Sequence, residues 1–322
     1  MRAMMLLHPF WSLLSKVLLV VLFVFASVRT LQAQPDTLLR HIQLSEVVIS
    51  ARAQGFDVDA FVRQVREDTT FHKAFLNTRY YPNQVRSALR VHNKGDKETA
   101  SLVRLGRLTR EGRLAQLVLD SVQESGKLRD RKGAFRFLTV EMYDDVFFPK
   151  GPVVADNTVA TRKLEVDRGS RFDKYKSELK KFMFDPGTEI ASVPFIGDKL
   201  ALFSPEMAPL YEFRIWSDTR DGVECWVFSA EARPEFRDGR TVIKTMDTWF
   251  DQASGAVLAR NYRIASSSVF LDFDITIKVR NTLLGDVLVP VRVDYDGDWD
   301  IPFKSREIVR FWLEYGDWQV GP

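Results

Sequence analysis

Between Tyr211 and Tyr315 the chain breaks into seven strand-length runs separated by short turn-forming segments, and this periodicity constrains the fold more than any other feature. The turns fall at Asp218–Gly222, Phe236–Gly239, Gln252–Gly255, Ser266–Ser268, Leu283–Asp286 and Asp296–Ile301. Val269, Leu271, Phe273, Ile275, Ile277 and Val279 alternate with Asp272, Asp274, Thr276, Lys278 and Arg280. Successive side chains of a strand point to opposite faces, so this run has one dry and one wet side. Val287, Val289, Val291 and Val293 repeat the pattern, and so do Val309, Phe311, Leu313 and Tyr315. The spacing predicts an antiparallel meander that twists and curls, with a concave dry side to be filled by its own side chains, by helices or by a ligand. Phe273, Ile275, Val289, Val291, Phe311 and Leu313 are expected on that side and would line a ligand cavity there.

Upstream, Phe56–Phe75 carries apolar residues at helical spacing, with a break expected at Asp68-Thr69-Thr70. Val85–His92, Ser101–Leu108, Leu114–Val122 and Ala134–Val140 return to period two, punctuated by Asn93–Asp96, Arg110–Gly112 and Asp130–Gly133, which are hairpin spacings. Phe148–Arg171 has no sustained period and reads as loop with short elements. Ser170–Phe184 is a second amphipathic segment, with Phe172, Tyr175, Leu179 and Phe182 on one stripe and lysines on the rest; Asp185-Pro186-Gly187 stops it. The predicted class is α+β: residues 56–322 as a single domain, a long curved antiparallel sheet of half-barrel form with a few covering helices.

The first 33 residues have the layout of a signal peptide: Arg2 and Lys16, the apolar run Val17–Ala26, then Leu31-Gln32-Ala33 ahead of Gln34-Pro35. The uncharged stretch Val17–Val28 is shorter than the ~20 residues of a spanning helix. An exported, periplasmic or outer-membrane-associated protein is expected, with cleavage after Ala33. The leader also carries the whole charge excess, because without Arg2, Lys16 and Arg29 the chain has 43 basic and 43 acidic side chains. A balanced chain without a basic block has no field to draw it onto nucleic acid.

Residues 34–55 form an extended segment around Leu44, Glu46, Val47 and Val48. It reads as a first strand of the protein's own sheet. The order Leu-x-Glu-Val-Val-Ile-x-Ala also resembles the TonB-box-like segment of outer-membrane receptors, which implies a strand that docks on a partner sheet of an outer-membrane complex.

Nothing in the sequence matches a nucleophile elbow, a phosphate-binding Gly-rich loop, a His-Glu-x-x-His helix or paired cysteines. The four histidines, His8, His41, His72 and His92, all precede residue 93, so the sheet-forming region lacks the commonest general base. Cys225, the single cysteine, sits in an apolar strand-like run and reads as a buried structural thiol. No enzyme activity and no cofactor are expected. Asp296, Asp298, Asp300 and Glu307 occupy positions 1, 3, 5 and 12 of a calcium-loop count, but Ile301 stands where such a loop wants Gly, and Pro302 follows. A solvated turn is the plainer reading of these carboxylates.

Leader, early helix, long antiparallel sheet and covering helices together resemble the periplasmic lipoprotein-carrier superfamily. Phe195–Lys199 and Phe203–Met207 resemble segments of uncharacterised exported proteins of the Bacteroidota. The carrier resemblance implies a concave apolar face that holds a lipid, an acyl chain or a lipoprotein. The competing expectation is a packed, non-enzymatic interaction module that docks through its N-terminal strand.

Overall fold

The computed structural model describes residues 57–159, 187, 197–267, 272–300 and 306–321. The expected leader, the segment with Leu44, Glu46, Val47 and Val48, and the helix of residues 170–184 lie outside the described residues.

The described chain is built on one open antiparallel sheet of eleven strands, in the order β4-β3-β2-β1-β11-β10-β9-β8-β7-β6-β5. The strands are β1 (Asn83–His92), β2 (Glu98–Glu111), β3 (Leu114–Gly126), β4 (Pro152–Val154), β5 (Tyr211–Arg220), β6 (Val223–Ala232), β7 (Ile243–Asp251), β8 (Val257–Ser267), β9 (Asp272–Leu284), β10 (Val287–Asp300) and β11 (Glu307–Gly316). The seven runs predicted from Tyr211 onward are β5 to β11. Two meanders, β1–β4 and β5–β11, are joined where the first strand pairs with the last, Leu89 opposite Phe311 and Val85 opposite Tyr315. One continuous core lies on a single face, from Phe213 and Phe228 through Ile277 and Val293 to Leu89 and Leu102.

Helices cover that face. The predicted break at Asp68 divides the first helical stretch into α1 (Val58–Glu67) and α2 (Thr70–Asn77). Asp57 caps α1 by accepting from the Ala60 N–H at 2.8 Å, and Asp68 accepts from the Thr70 N–H at 2.9 Å. α1 buries Val58, Phe61, Val62 and Val65, with Phe61 edge-on to Phe250 at 5.3 Å. Asp68 also faces the buried Arg260 at 3.6 Å, whose guanidinium lies 4.3 Å from the Phe71 ring centre.

Two sequence expectations are corrected. Ala134–Val140 is not a strand: after a single bridge between Arg129 and Phe135 the chain enters α3 (Leu138–Phe147). The acidic stretch after Asp294 is not a turn either, because β10 continues to Asp300. In both places the deciding partner is β11. It gives β10 a neighbour to pair with as far as Trp299, and through Glu307 it gives α3 its N-terminal hydrogen bonds.

Candidate functional site

Pairing along β10 disperses the candidate metal ligands. Asp296 and Asp298 lie on the wet face opposite Arg310 and Ile308. There Asp296 accepts from Arg310 Nε at 3.2 Å, and Asp298 from Arg306 Nε at 2.7 Å. Asp300 ends the strand opposite Asp272. Glu307 pairs with Trp299 on the core face and spends its carboxylate on α3, so it cannot join the aspartates. Among the described residues no group of three or more His, Cys, Asp or Glu side chains is placed to hold a metal ion.

The six residues expected to share the concave side separate into two sets. Phe273, Ile275, Phe311 and Leu313 are buried in the main core. Val289, although fully buried, and the half-buried Val291 are not in that cluster. The β9–β10 register slips between Pro290 and Arg292, so Pro290 stands opposite Asn281 and Val289 opposite Thr282, which belongs to the wet alternation of β9. Val291 is the extra residue of this bulge, and Val293 resumes the core face opposite Val279. A bulge consumes one residue and reverses the inward phase, which a reading of strict alternation cannot detect.

Where the sheet is covered, the chain's own aromatics fill the space. Phe311 stacks on Tyr295 at 4.5 Å and meets Tyr143 at 4.9 Å and Phe147 at 5.9 Å. The Tyr143 hydroxyl is 2.5 Å from Ser87 Oγ on β1. At the border of this plug Arg104 of β2 is buried, with Nη2 2.7 Å from Asp144 and its guanidinium 4.6 Å from the Phe148 ring centre. Its Nε and Nη1 have no partner.

Beyond Arg104 the described residues leave apolar side chains of the sheet exposed. β4 pairs only with Leu114, Ala115 and Gln116 of β3, so among the described residues Leu117–Gly126 has no strand on its outer side. Leu119 and Val122 on one face of this end are 41% and 46% exposed, and Val118 and Val103 on the other are 41% and 42% exposed. Edge strands are ordinarily blunted by Lys, Pro or charge. β3 contains neither Lys nor Pro, and its two charges, Asp120 and Glu124, are held by Arg107 and Arg129; the opposite edge, β5, carries Glu212, Arg214, Asp218 and Arg220. Sequence reasoning missed this end because β3 alternates like any other strand; the signal available was its run of apolar residues on both faces, Leu117-Val118-Leu119.

Cys225 is buried on β6 and its thiol is held above the usual range, first by desolvation and then by the nearby Asp251 charge. That environment disfavours a thiolate nucleophile.

No family model and no curated protein matches the chain. Among solved structures it is similar to a DUF1329 family protein from Desulfovibrio piger ATCC 29098, at 10% identity over 82% of this chain and 92% of that one, with a TM-score of 0.24. It is also similar to a domain from Vibrio parahaemolyticus named for outer membrane lipoprotein sorting, at 10% identity over 78% of this chain and 94% of that one, with a TM-score of 0.26. At these scores neither likeness transfers a function.

Proposed function

We propose that this chain is a non-catalytic binding module of the cell envelope that takes an extended, apolar polypeptide segment onto the open edge of β3. The observation that carries this reading is the exposed apolar side chains on both faces of β3, where its outer edge has no strand partner among the described residues. An added strand sends alternate side chains to the two faces and pairs its main chain with the edge, so it would cover Leu119 and Val122 together with Val118. An acyl chain has no main chain to offer and is held by an enclosed apolar cavity; the side chains of Tyr143, Phe147 and Tyr295 occupy the space around Phe311. A lipid or acyl ligand on the Leu119 and Val122 face is the second reading, favoured by the exposure of those two residues. Envelope location rests on the signal-peptide layout of residues 1–33.

A photo-crosslinking residue at Val122, in the exported protein in cells, tests the proposal. Capture of a polypeptide, lost when Leu119 and Val118 are both changed to Lys, is the expected result. Capture of lipid would favour the second reading, and no capture would refute both.

A further inference from the structure

The wet face of the sheet holds a second, independent feature. Three rows of cross-strand neighbours run over β9, β10, β11 and β1: Arg280, Arg292, Glu314 and Arg86; then Lys278, Asp294, Trp312 and Ala88; then Thr276, Asp296, Arg310 and Arg90. The small Ala88 side chain leaves a depression of about 680 Å³ over the middle and last rows, flanked by Trp312, Lys278, Arg310 and Arg90.

Six cations of these rows meet five carboxylates, the three within the rows and Asp96 and Glu98 beside them. The carboxylates are all engaged: Asp294 and Glu314 by Arg292, Asp296 and Asp96 both by Arg310, and Glu98 by Arg90. Among the described residues Lys278 and Arg280 have no ion pair, and Arg86 bonds only to Gln84, at 3.3 Å. Arg90 stands directly opposite Arg310, and Arg280 directly opposite Arg292. Like charges facing one another across a strand pair destabilise a sheet. His92 adds an Nδ1 atom with no partner at the same depression. A trough with surplus cations, an unspent imidazole nitrogen and an indole beside them has the chemistry of an anion site.

We propose that this trough binds a multivalent phosphate-type anion, with Lys278 and Arg90 as its charged contacts and Arg310, held by Asp96 and Asp296, at its border. Such a group comes either as a free solute or as a lipid headgroup. The site is on the opposite face from the β1–β11 core and does not depend on the reading of β3.

Titration calorimetry of the full protein with inorganic pyrophosphate, at fixed ionic strength, tests it beside co-sedimentation with vesicles of phosphatidylglycerol and phosphatidylcholine. The variant is Lys278→Gln with Arg90→Gln. Among the described residues Lys278 has no partner to lose, and Arg90 has only the exposed contact to Glu98 at 3.4 Å, so the fold and its Tm should be retained. Pyrophosphate is expected to bind the wild type and raise its Tm, with at least about a tenfold loss of affinity in the double variant. Binding in solution without vesicle capture assigns a free anion. Vesicle capture that the variant loses assigns a headgroup. Neither response in the wild type, or equal binding by the variant, overturns the proposal.

Discussion

Glu307, the first residue of β11, accepts the backbone N–H of Thr139 at 2.9 Å and that of Leu138 at 2.8 Å, across 168 residues of sequence. The first N–H groups of a helix have no partner within it, and α3 has no side-chain cap of its own. A buried carboxylate from a distant strand supplies both the acceptors and the negative charge that the helix N-terminus favours. This contact seats α3, and with it Tyr143 and Phe147, against Phe311.

Replacing that carboxylate should therefore loosen the plug. Glu307→Gln keeps the shape, loses the charge and is expected to cost about 1–3 kcal/mol, since hydrogen bonds to charged groups are the stronger ones. Urea unfolding measures the loss, and a native-like midpoint would show that α3 is held by packing alone.

Ile275 distinguishes a packed sheet from an open carrier. It is 3% exposed in the core beside Phe273. Ile275→Trp should cost about 1–3 kcal/mol through strain, with no change in the lipid that accompanies the protein purified without detergent. Unchanged stability with a fall in bound lipid would support a carrier cavity instead.

The bulge at Pro290 and Arg292 yields a paired comparison. Val293 is fully buried opposite Leu313, whereas Val291 is displaced to the wet side beside Arg86 and Glu314. Val293→Ala should cost about 1–3 kcal/mol and Val291→Ala less than about 0.5 kcal/mol. Equal costs would mean that strict alternation, not the bulge, describes β10.

High pH should unfold the protein from within. Burial pushes the phenols of Tyr143, Tyr211, Tyr262 and Tyr295 above the ordinary tyrosine range of about 10. A raised pKa means the folded state keeps its proton where the unfolded state has lost it. The stability from these groups is full below about pH 10 and falls as pH climbs from there toward the folded values. Phenolate absorbance from the buried tyrosines should accordingly appear together with the loss of far-ultraviolet β-signal; ionisation well before unfolding would show that they are accessible.

The sequence by itself determined the elements whose signal is local. Period two from Tyr211 onward specified seven strands, because each residue's face depends only on its neighbours. The carboxylates of Asp57 and Asp68 marked where α1 and α2 begin, because a cap acts within one turn. Tertiary structure decided everything that depends on a distant partner. Val140, Tyr143 and Phe147 have helical spacing, but the N-terminal acceptors of α3 come from Glu307 on a distant strand, outside any local window. The acidic stretch had the composition of a turn, yet β11 gave it a strand to pair with. The union of β1 with β11, the bulge that takes Val289 and Val291 off the face of Val293, and the open outer edge of β3 among the described residues are likewise properties of register. Which strand lies beside which is fixed by the joint burial of both faces over the whole sheet, and no window of local sequence contains that sum.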